Sequence, residues 1–253
     1  RVKRARGRIG KILTSTEAGK RERVERLSYE SASIVLTVTD RDRDVLRGIY
    51  GSDTTIETMP LAMDLGSYRP GMSEREKDLI VFIGAYDADF NRDALLYFLS
   101  EVFPCCRKWN SRIRLEVVGQ GVDDEIRSHA GPGVEFLGRV DDIRPYMARS
   151  GVMVLPLRFG GGVRIRMMEA AAMGVPVVST PVGVAGMGLV DDRDYLEAST
   201  PEKMVERIIE LLGDSNRASE IGRNARLWAE ENISMADYPE RLDRLLGLLS
   251  AGS

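Results

Sequence analysis

The chain has 253 residues, of which 43% are hydrophobic and 30% are charged, and its net charge is −3. This composition is typical of a globular protein with one large or two smaller domains, and the slightly acidic balance argues against nucleic acid as a partner. No apolar run approaches the roughly 18 residues that a membrane span needs, and we expect no secretory signal. The adjacent Cys105 and Cys106 and the single His129 show no metal-ligand spacing. We therefore expect a cytoplasmic protein without a bound metal, in which the two cysteines pack as small buried residues.

Residues 1–13 carry six lysines and arginines and no acid. Such a stretch is either a solvated helix face or a contact with anionic lipid, which would place the protein peripherally at a membrane. Because the chain begins with Arg1 and not with Met, we expect it to be processed or to be a piece of something longer.

Residues 1–71 predict one and a half βα units. They read as a helix, a strand over "SIVLTVT" at 33–39, a helix capped by Thr39 or Asp40, and a short strand within "TIETMP". This is too little for a doubly wound domain. We interpret it as the tail of a preceding domain, which ends in a linker near residues 69–76.

Strands and helices alternate from residue 79 onward. The predicted strands cover residues 79–86, 113–121, 134–140, 152–157, 175–181 and 195–199. The predicted helices cover residues 91–104, 122–130, 141–150, 163–173, 200–214 and 217–233, with Asn91 and Thr200 as N-caps. Nearly continuous apolar strands separated by helices indicate a parallel sheet covered on both faces, which is a doubly wound, Rossmann-like α/β domain. Such domains bind ligands beyond the carboxyl ends of their strands, where the glycines of this chain lie.

A triple glycine, Gly160 to Gly162, separates a predicted strand from a predicted helix. Glycines let the backbone approach a ligand closely, and the N–H groups and positive dipole end of the helix favour an anion. Arg164 lies in the first turn, where its charge opposes the dipole unless an anion is present. We interpret this segment as an anion site, and the alternative is a tight turn with an exposed arginine.

Glu169 lies in the same helix among methionines and alanines that are typical of a packed helix. An unpaired buried charge is expensive, so this carboxylate needs a partner. One hypothesis is a structural salt bridge with Arg166, which lies three positions earlier. The other is bidentate binding of a ribose diol, and the spacing does not separate the two.

Other nucleotide and hydrolase motifs do not occur in the sequence. The "GQG" at 119–121 lacks the spacing of a dinucleotide fingerprint, and no P-loop or serine nucleophile elbow is found. This disfavours a nicotinamide cofactor, a P-loop ATPase and a serine hydrolase.

Three segments together resemble a known family. They are "VFIGAYDADFNRDALLYFLSEVFP" at 81–104, "LEVVGQG" at 115–121, and "VEFLGRVDDIRPYMARSGVMVLPLRFGGGVRIRMMEAAAMGVPVVSTPVGVAGM" at 134–187. In order and spacing they resemble the carboxyl-terminal half of retaining GT-B glycosyltransferases of family 4, within the branch that carries "GGGxRxKxxEAxAxG". The resemblance implies two Rossmann-like domains that face each other across a cleft. In that family the carboxyl-terminal domain binds a nucleotide-diphosphate sugar, the amino-terminal domain binds a saccharide or lipid-linked acceptor, and no metal or cofactor is used.

The same resemblance assigns donor-binding roles to residues of this chain. Glu169 would hold the ribose hydroxyls, and Arg139 and Val140 would face the base. Arg164 and Arg166 would face the diphosphate. The remaining residues would act mainly through their backbone, and they are Gly84 near the diphosphate and Gly161, Gly162 and Val163 at the donor sugar and phosphate.

Two departures from the family pattern affect the donor site. Many members carry a glutamate eight positions before the helix glutamate, and here that position is Gly161. The family's arginine and lysine after the first strand are also missing from residues 85–91, and Arg92 is the nearest cation. We therefore expect Arg164 and Arg166, with Arg92 as a third candidate, to neutralise the diphosphate.

The resemblance also predicts the domain organisation. Residues 1–71 would be a remnant of the acceptor-side domain and a linker, residues 72–224 the nucleotide-sugar-binding domain, and residues 225–253 a helix that crosses back to the amino-terminal domain. The expected function is sugar transfer in polysaccharide or glycoconjugate synthesis, with this chain supplying the donor-binding half and the catalytic residues of the acceptor side missing. The alternatives are a truncated, non-catalytic nucleotide-sugar-binding or scaffold module and one half of a split enzyme whose amino-terminal domain is a separate chain.

Overall fold

The computed structural model describes residues 8–51 and 54–251. By their contacts the residues divide into two compact units, one that runs from Leu61 to Pro239 and one that joins the chain before Leu61 to the chain after Pro239. The domain boundaries that we predict after residues 71 and 224 stay a prediction.

The smaller unit contains a two-stranded parallel sheet. Its elements are α1 (Arg8–Ser31), β1 (Val35–Thr37), α2 (Asp40–Tyr50) and β2 (Ile56–Thr58). Val35 pairs with Ile56 in parallel register. Thr39 is the N-cap of α2, because its hydroxyl accepts a hydrogen bond from the Asp42 N–H at 3.0 Å. The order helix, strand, helix, strand that the sequence predicts is therefore confirmed.

The basic segment at 1–13 falls outside this description. Residues 1–7 are not among the described residues, and side-chain positions are not described for residues 8–13. Contact of this segment with anionic lipid therefore stays a prediction. Within residues 8–51 and 54–251, no helix is both long and apolar enough to cross a bilayer.

The larger unit is built on a six-stranded sheet within residues 76–197, all of which are described. Its strands are β3 (Glu76–Ile83), β4 (Arg114–Val118), β5 (Val134–Gly138), β6 (Ser150–Leu155), β7 (Val177–Ser179) and β8 (Leu196–Glu197). Their order is β5-β4-β3-β6-β7-β8, and every pairing is parallel. The central strands are almost entirely buried because helices cover both faces of the sheet. The predicted doubly wound, Rossmann-like α/β fold is confirmed.

The remaining helical elements connect these strands or follow β8. They are α3 (Asp89–Tyr97), a π-helical turn (Phe98–Val102), α4 (Phe103–Trp109), α5 (Asp124–Ser128), α6 (Arg144–Arg149), α7 (Ile165–Ala172), a 3₁₀ turn (Pro181–Gly183), α8 (Pro201–Gly213), α9 (Ser215–Asn232), a second 3₁₀ turn (Met235–Asp237) and α10 (Tyr238–Ala251). From Glu240 onward, α10 belongs to the smaller unit. The prediction of Asn91 as an N-cap is wrong, since α3 begins at Asp89 and the Asn91 amide donates to the Ala85 carbonyl instead. The predicted helix also continues beyond Pro104. The π-helical turn places this proline in the first turn of α4, where its missing N–H costs nothing.

The carboxyl-terminal region is not the single helix that we predict over residues 225–253. Helix α9 ends at Asn232, and a new helix begins at Tyr238. Pro239 explains the break, because proline is tolerated in the first turn of a helix and not in its interior. Trp228 is buried against Met168 and the alanines of α7. A crossing to an amino-terminal domain stays a prediction.

The two cysteines do not share one environment. Cys106 is buried and Cys105 is exposed, so the predicted packing role holds for Cys106 alone. Burial raises the pKa of the Cys106 thiol to about 12. We expect a thiol-specific disulfide reagent to titrate one thiol in the native protein and two after unfolding. The Cys105→Ser variant should show no rapid native reaction, and a rapid reaction in that variant would contradict the assignment.

Thr200 is the N-cap of α8, as predicted. Its hydroxyl accepts a hydrogen bond from the Lys203 N–H at 3.2 Å, and Pro201 follows in the first turn. We expect Thr200→Ala to lower the free energy of unfolding by about 1 kcal/mol, because one N–H of the first turn loses its acceptor. Urea titration measures this change. Thr200→Ser keeps the acceptor and serves as the control, and equal losses in both variants would rule out the cap as the cause.

The order of the strands creates a crevice at the carboxyl edge of the sheet. Strands β4 and β5 lie on one side of β3 in the sheet, and β6, which follows them in the chain, lies on the other side of β3. The loops after β3 and β6 therefore leave in opposite directions, and such a switch point is where doubly wound sheets bind their ligands.

Gly119 explains why the "GQG" segment lies next to this crevice. It has a φ of +133°, and a Cβ added there would lie 1.7 Å from the Gly84 carbonyl oxygen. The glycine thus allows the loop after β4 to pack directly on the loop after β3. The segment has a structural role in shaping the edge of the crevice.

Candidate functional site

A cavity of about 570 Å³ opens at the carboxyl edge of the larger unit, and we call it the Glu169 cavity. Its lining combines charged, polar and apolar side chains from three segments. They are Asp64, Ser67 and Tyr68 before β3, Val140 to Ile143 after β5 together with Arg144 at the start of α6, and Arg166 and Glu169 on α7. Of the residues that the sequence nominates, the cavity brings together Val140, Arg166 and Glu169.

Glu169 is a buried carboxylate in the wall of this cavity. It lies in the middle of α7 and is 5% exposed. Its Oε2 accepts a hydrogen bond from Arg166 Nη1 at 2.5 Å, and its Oε1 accepts one from the Tyr68 hydroxyl at 3.1 Å. A carboxylate has about four acceptor positions, so each oxygen can take a second hydrogen bond from a group in the cavity. The salt bridge with Arg166, one of the two hypotheses for this carboxylate, is present, and the binding of a ribose diol stays a prediction.

Tyr68 is a site residue that the sequence does not reveal. It lies 101 positions before Glu169, in an irregular segment without a motif. Burial, followed by the nearby Glu169 carboxylate, raises the pKa of the Tyr68 phenol. The phenol therefore stays protonated near neutral pH and donates to the carboxylate. Only the tertiary structure brings the two residues together.

Arg144 and Asp142 also line the cavity. The Arg144 guanidinium makes two 2.9 Å hydrogen bonds with the Asp142 carboxylate and a third, also at 2.9 Å, to the Ser67 carbonyl. Its Cζ also lies 5.9 Å from the centre of the Tyr68 ring. Hydrogen bonds from Arg144 lower the pKa of Asp142, so this carboxylate is ionised at neutral pH. The pair anchors the Tyr68 segment beside α6, and no sequence signal marks it.

The two residues nominated for the base lie differently. Val140 is half-buried and lines the cavity, where it offers an apolar surface. Arg139 is exposed and is not part of the lining.

Arg164 folds back over the triple-glycine loop. Its Cζ lies 5.0 Å from the centre of the Phe90 ring, and its Nε and Nη2 are buried without a hydrogen-bond partner among the described residues. Gly160 has a φ of +122°, and a Cβ there would lie 2.5 Å from Arg164 Nη2, so glycine makes room for the guanidinium. Burial lowers the pKa of Arg164, which means that the cation is poorly solvated. An anion at this loop would supply the missing acceptor.

The backbone positions nominated for donor contacts lie around this loop. Gly84 directly follows β3, and its N–H donates to the Val118 carbonyl at 3.0 Å, so that N–H is already used. Gly161 and Gly162 are exposed, and Val163 is half-buried against the cluster that contains Trp228. Within the described part of the chain, the N–H groups of Gly161 to Val163 donate to no acceptor. These three N–H groups are free to bind a ligand.

Arg92 does not serve as the third free cation. It forms ion pairs with Asp123, at 2.6 Å, and with Glu125. These acids lie at the amino end of α5, where the helix dipole favours them, and they hold the guanidinium in two ion pairs. Arg92 is therefore paired in this structure, and its contribution to an anion site stays a prediction.

Known proteins resemble this chain in sequence. A family model described as glycosyl transferases group 1 matches residues 77–214. The GDP-mannose-dependent monoacylated alpha-(1-6)-phosphatidylinositol monomannoside mannosyltransferase of Corynebacterium glutamicum is 26% identical over 230 residues, which cover 79% of this chain and 58% of the relative. The chain thus spans about half the length of the curated relatives that it matches.

Solved structures also resemble this chain. TarM of S. aureus superposes with a TM-score of 0.77 at 17% identity, over 91% of this chain and 46% of TarM. Anabaena HepE in complex with UDP and glucose superposes with a TM-score of 0.72 at 14% identity, over 87% of this chain and 64% of HepE. At these identities the superpositions show a shared fold, which is that of GT-B glycosyltransferases. Together with a family model that matches more than half of the chain, they lead to one assignment: the chain belongs to the glycosyl transferases group 1 family.

Proposed function

We propose that this chain binds the nucleoside-diphosphate sugar of a glycosyltransferase. The whole protein would pass the sugar to a saccharide or lipid-linked acceptor in polysaccharide or glycoconjugate synthesis. The observation that carries the proposal is the buried Glu169 carboxylate, which lines the cavity at the carboxyl edge of a doubly wound sheet. Each of its two oxygens can accept one more hydrogen bond.

The ribose would bind at Glu169. Arg166 and Tyr68 hold the carboxylate in one orientation and offset the cost of burying its charge. Two adjacent hydroxyl groups can each donate to one carboxylate oxygen, so a ribose diol fits the remaining acceptor positions. The salt bridge and the ribose contact are therefore compatible. The apolar surface of Val140 offers a place for the base.

The diphosphate would bind at the triple-glycine loop. Arg164 has two N–H donors without partners, and the N–H groups of Gly161 to Val163 are free in the described part of the chain. A phosphate group has several strong acceptor oxygens and would satisfy these donors together. Because Gly161 replaces the glutamate of many relatives, the donor sugar would meet backbone groups at that position.

Calorimetry with UDP, GDP, UDP-glucose and GDP-mannose tests this proposal. We expect saturable binding of at least one of the four, with the nucleoside diphosphate supplying most of the affinity. The name of the Corynebacterium glutamicum relative specifies GDP-mannose, and HepE is described with UDP, so both bases belong in the experiment. Absence of binding to all four, in protein whose folding is verified by circular dichroism, would reject the proposal.

We further propose that transfer retains the anomeric configuration of the donor, as in GT-B enzymes of family 4. The support is the segment "GGGVRIRMMEAAAMG" at 160–174, which matches the "GGGxRxKxxEAxAxG" branch with an arginine at the lysine position. Proton NMR of the glycoside formed by the whole protein measures the configuration directly. An α-linked donor should give an initial α-linked product, and an initial β-linked product would contradict retention.

A further inference from the structure

A second cavity, of about 620 Å³, lies at the opposite edge of the sheet from the Glu169 cavity, and we call it the amino-end cavity. It is bounded by the first residues of β3 and β6, by the end of α8 and by one face of α9. Its volume lies in the range that is typical of sites for small molecules. Neither the donor site nor the strand order accounts for it.

The lining of the amino-end cavity carries an excess of positive charge. Its cations are Arg75, Lys77, Arg223 and Arg226, and its single acid is Glu230. Glu230 is paired with Arg226, whose Nε donates to it at 2.7 Å. Within the described ranges, the three other cations have no acidic group within 4.0 Å. Three uncompensated cations that share one cavity favour a ligand with more than one negative charge.

Among these cations, Arg75 has the strongest requirement for a hydrogen-bond acceptor. Its Nη2 donates to the Gly174 carbonyl, and its Nη1 is buried without a hydrogen-bond partner among the described residues. A buried N–H group without an acceptor costs free energy. Burial also lowers the pKa of Arg75, because it disfavours the charged form of the guanidinium. An anion in the cavity would supply both the acceptor and the opposite charge.

The other side of the amino-end cavity is apolar. Leu211 and Leu212 are buried at the end of α8, and Leu227 of α9 is 51% exposed at the rim. We propose that the cavity binds a phosphate-bearing ligand, with its phosphate among Arg75, Lys77 and Arg223 and its apolar part along these leucines. The planar guanidinium groups suit the tetrahedral oxygens of a phosphate, since each can donate two parallel hydrogen bonds.

Two variants separate this site from general charge effects. Lys77→Gln combined with Arg223→Gln removes two of the three uncompensated cations and leaves Arg75, which holds the Gly174 carbonyl, in place. Lys108→Gln combined with Arg112→Gln removes the same charge from exposed positions outside the amino-end cavity. The Lys77/Arg223 variant should fold, because neither side chain makes a hydrogen bond or ion pair to another described residue. The control variant loses one exposed ion pair, Arg112 with Asp78 at 3.5 Å, and should fold as well.

Titration of the isotope-labelled chain with inorganic phosphate, followed by amide NMR, reports both sites separately. We expect saturable chemical-shift changes at Gly71 and Gly174. The affinity for phosphate that they report should fall at least tenfold in the Lys77/Arg223 variant and stay unchanged in the Lys108/Arg112 variant. Absence of saturable shifts at these two glycines, or equal affinity in all three proteins, would overturn the proposal. Shifts at Gly160 to Gly162 would report the donor site, so failure of one site does not imply failure of the other.

A second titration identifies the source of the phosphate. Glycerol 3-phosphate carries the group on a polar body, and dihexanoyl phosphatidic acid carries it on short acyl chains. Tighter binding of the phosphatidic acid, with added shifts at Leu227, indicates a lipid headgroup site that uses the leucines. Equal affinity for glycerol 3-phosphate and the phosphatidic acid indicates a soluble phosphate ester. That result would contradict the proposed contact between the ligand and the leucines.

Discussion

Replacing Glu169 with alanine is expected to weaken the binding of a nucleoside diphosphate by about 10- to 100-fold. This range corresponds to the net loss of about one hydrogen bond to a charged acceptor, which is worth about 1.5–3 kcal/mol. The substitution also leaves the Arg166 guanidinium and the Tyr68 hydroxyl without the acceptor that they share in the structure. Isothermal calorimetry with UDP or GDP measures the change.

The ribose assignment is tested most directly by removing the ribose hydroxyls as well. The native protein should bind a 2′,3′-dideoxy nucleoside diphosphate about as weakly as Glu169→Ala binds the normal one. The variant should bind both ligands with similar affinity, because the interaction between carboxylate and diol is already lost. Glu206→Ala, at an exposed position on α8, is the matched control and should change neither affinity. The contact between Glu169 and the ribose would be contradicted by one result. In that result, the Glu169→Ala variant loses as much affinity as the native protein does when the dideoxy ligand replaces the normal one.

Arg164→Gln is expected to lower the affinity for UDP or GDP by about 10- to 100-fold and to leave the affinity for the nucleoside without phosphates unchanged. Its Nε and Nη2 have no partner in the described structure, so the substitution removes no hydrogen bond within the described residues. For the same reason the free energy of unfolding of the ligand-free protein should fall by no more than ~1 kcal/mol, which is the size of the lost contact with the Phe90 ring. Calorimetry and urea titration give the two quantities.

A matched arginine lies on the same loop. Arg158 is paired with Asp93 by hydrogen bonds of 2.9 and 2.6 Å, so Arg158→Gln should affect the binding of a diphosphate little. The Arg164 variant should also show a weaker dependence of UDP affinity on salt concentration than the Arg158 variant. Equal losses of UDP affinity in the two variants would mean that the effect is one of general charge, and the anion site at Arg164 would be wrong.

Most of the fold can be read from residue patterns. Apolar runs such as "LIVFIGAY" and "VMVLPL" are long enough to identify buried parallel strands, and each lies within a few residues of its predicted place. The errors occur where backbone packing overrides local preference. Pro104 ends no helix because a π-helical turn accommodates it, and Asn91 caps nothing because the helix begins two residues earlier.

The candidate site could be predicted only in part. Glu169 and Arg166 are three residues apart on one helix, so their pairing follows from the helical repeat. Tyr68 and Arg144 lie in other segments, and no periodicity relates them to Glu169. Their place in the wall of the cavity depends on how the chain before β3 packs beside α6.

The sequence by itself determined the fold class, the position of the crevice-forming loops and the single carboxylate on which the proposed donor site depends. Only the tertiary structure decided which cations are available to a ligand. Arg92 and Arg164 are equally charged and flank the same crevice, yet Arg92 is neutralised by two acids of α5, and Arg164 has buried N–H groups without partners. The physical reason is that the charge of an arginine is a local property of the chain, whereas its neutralisation depends on groups that folding brings within hydrogen-bonding distance.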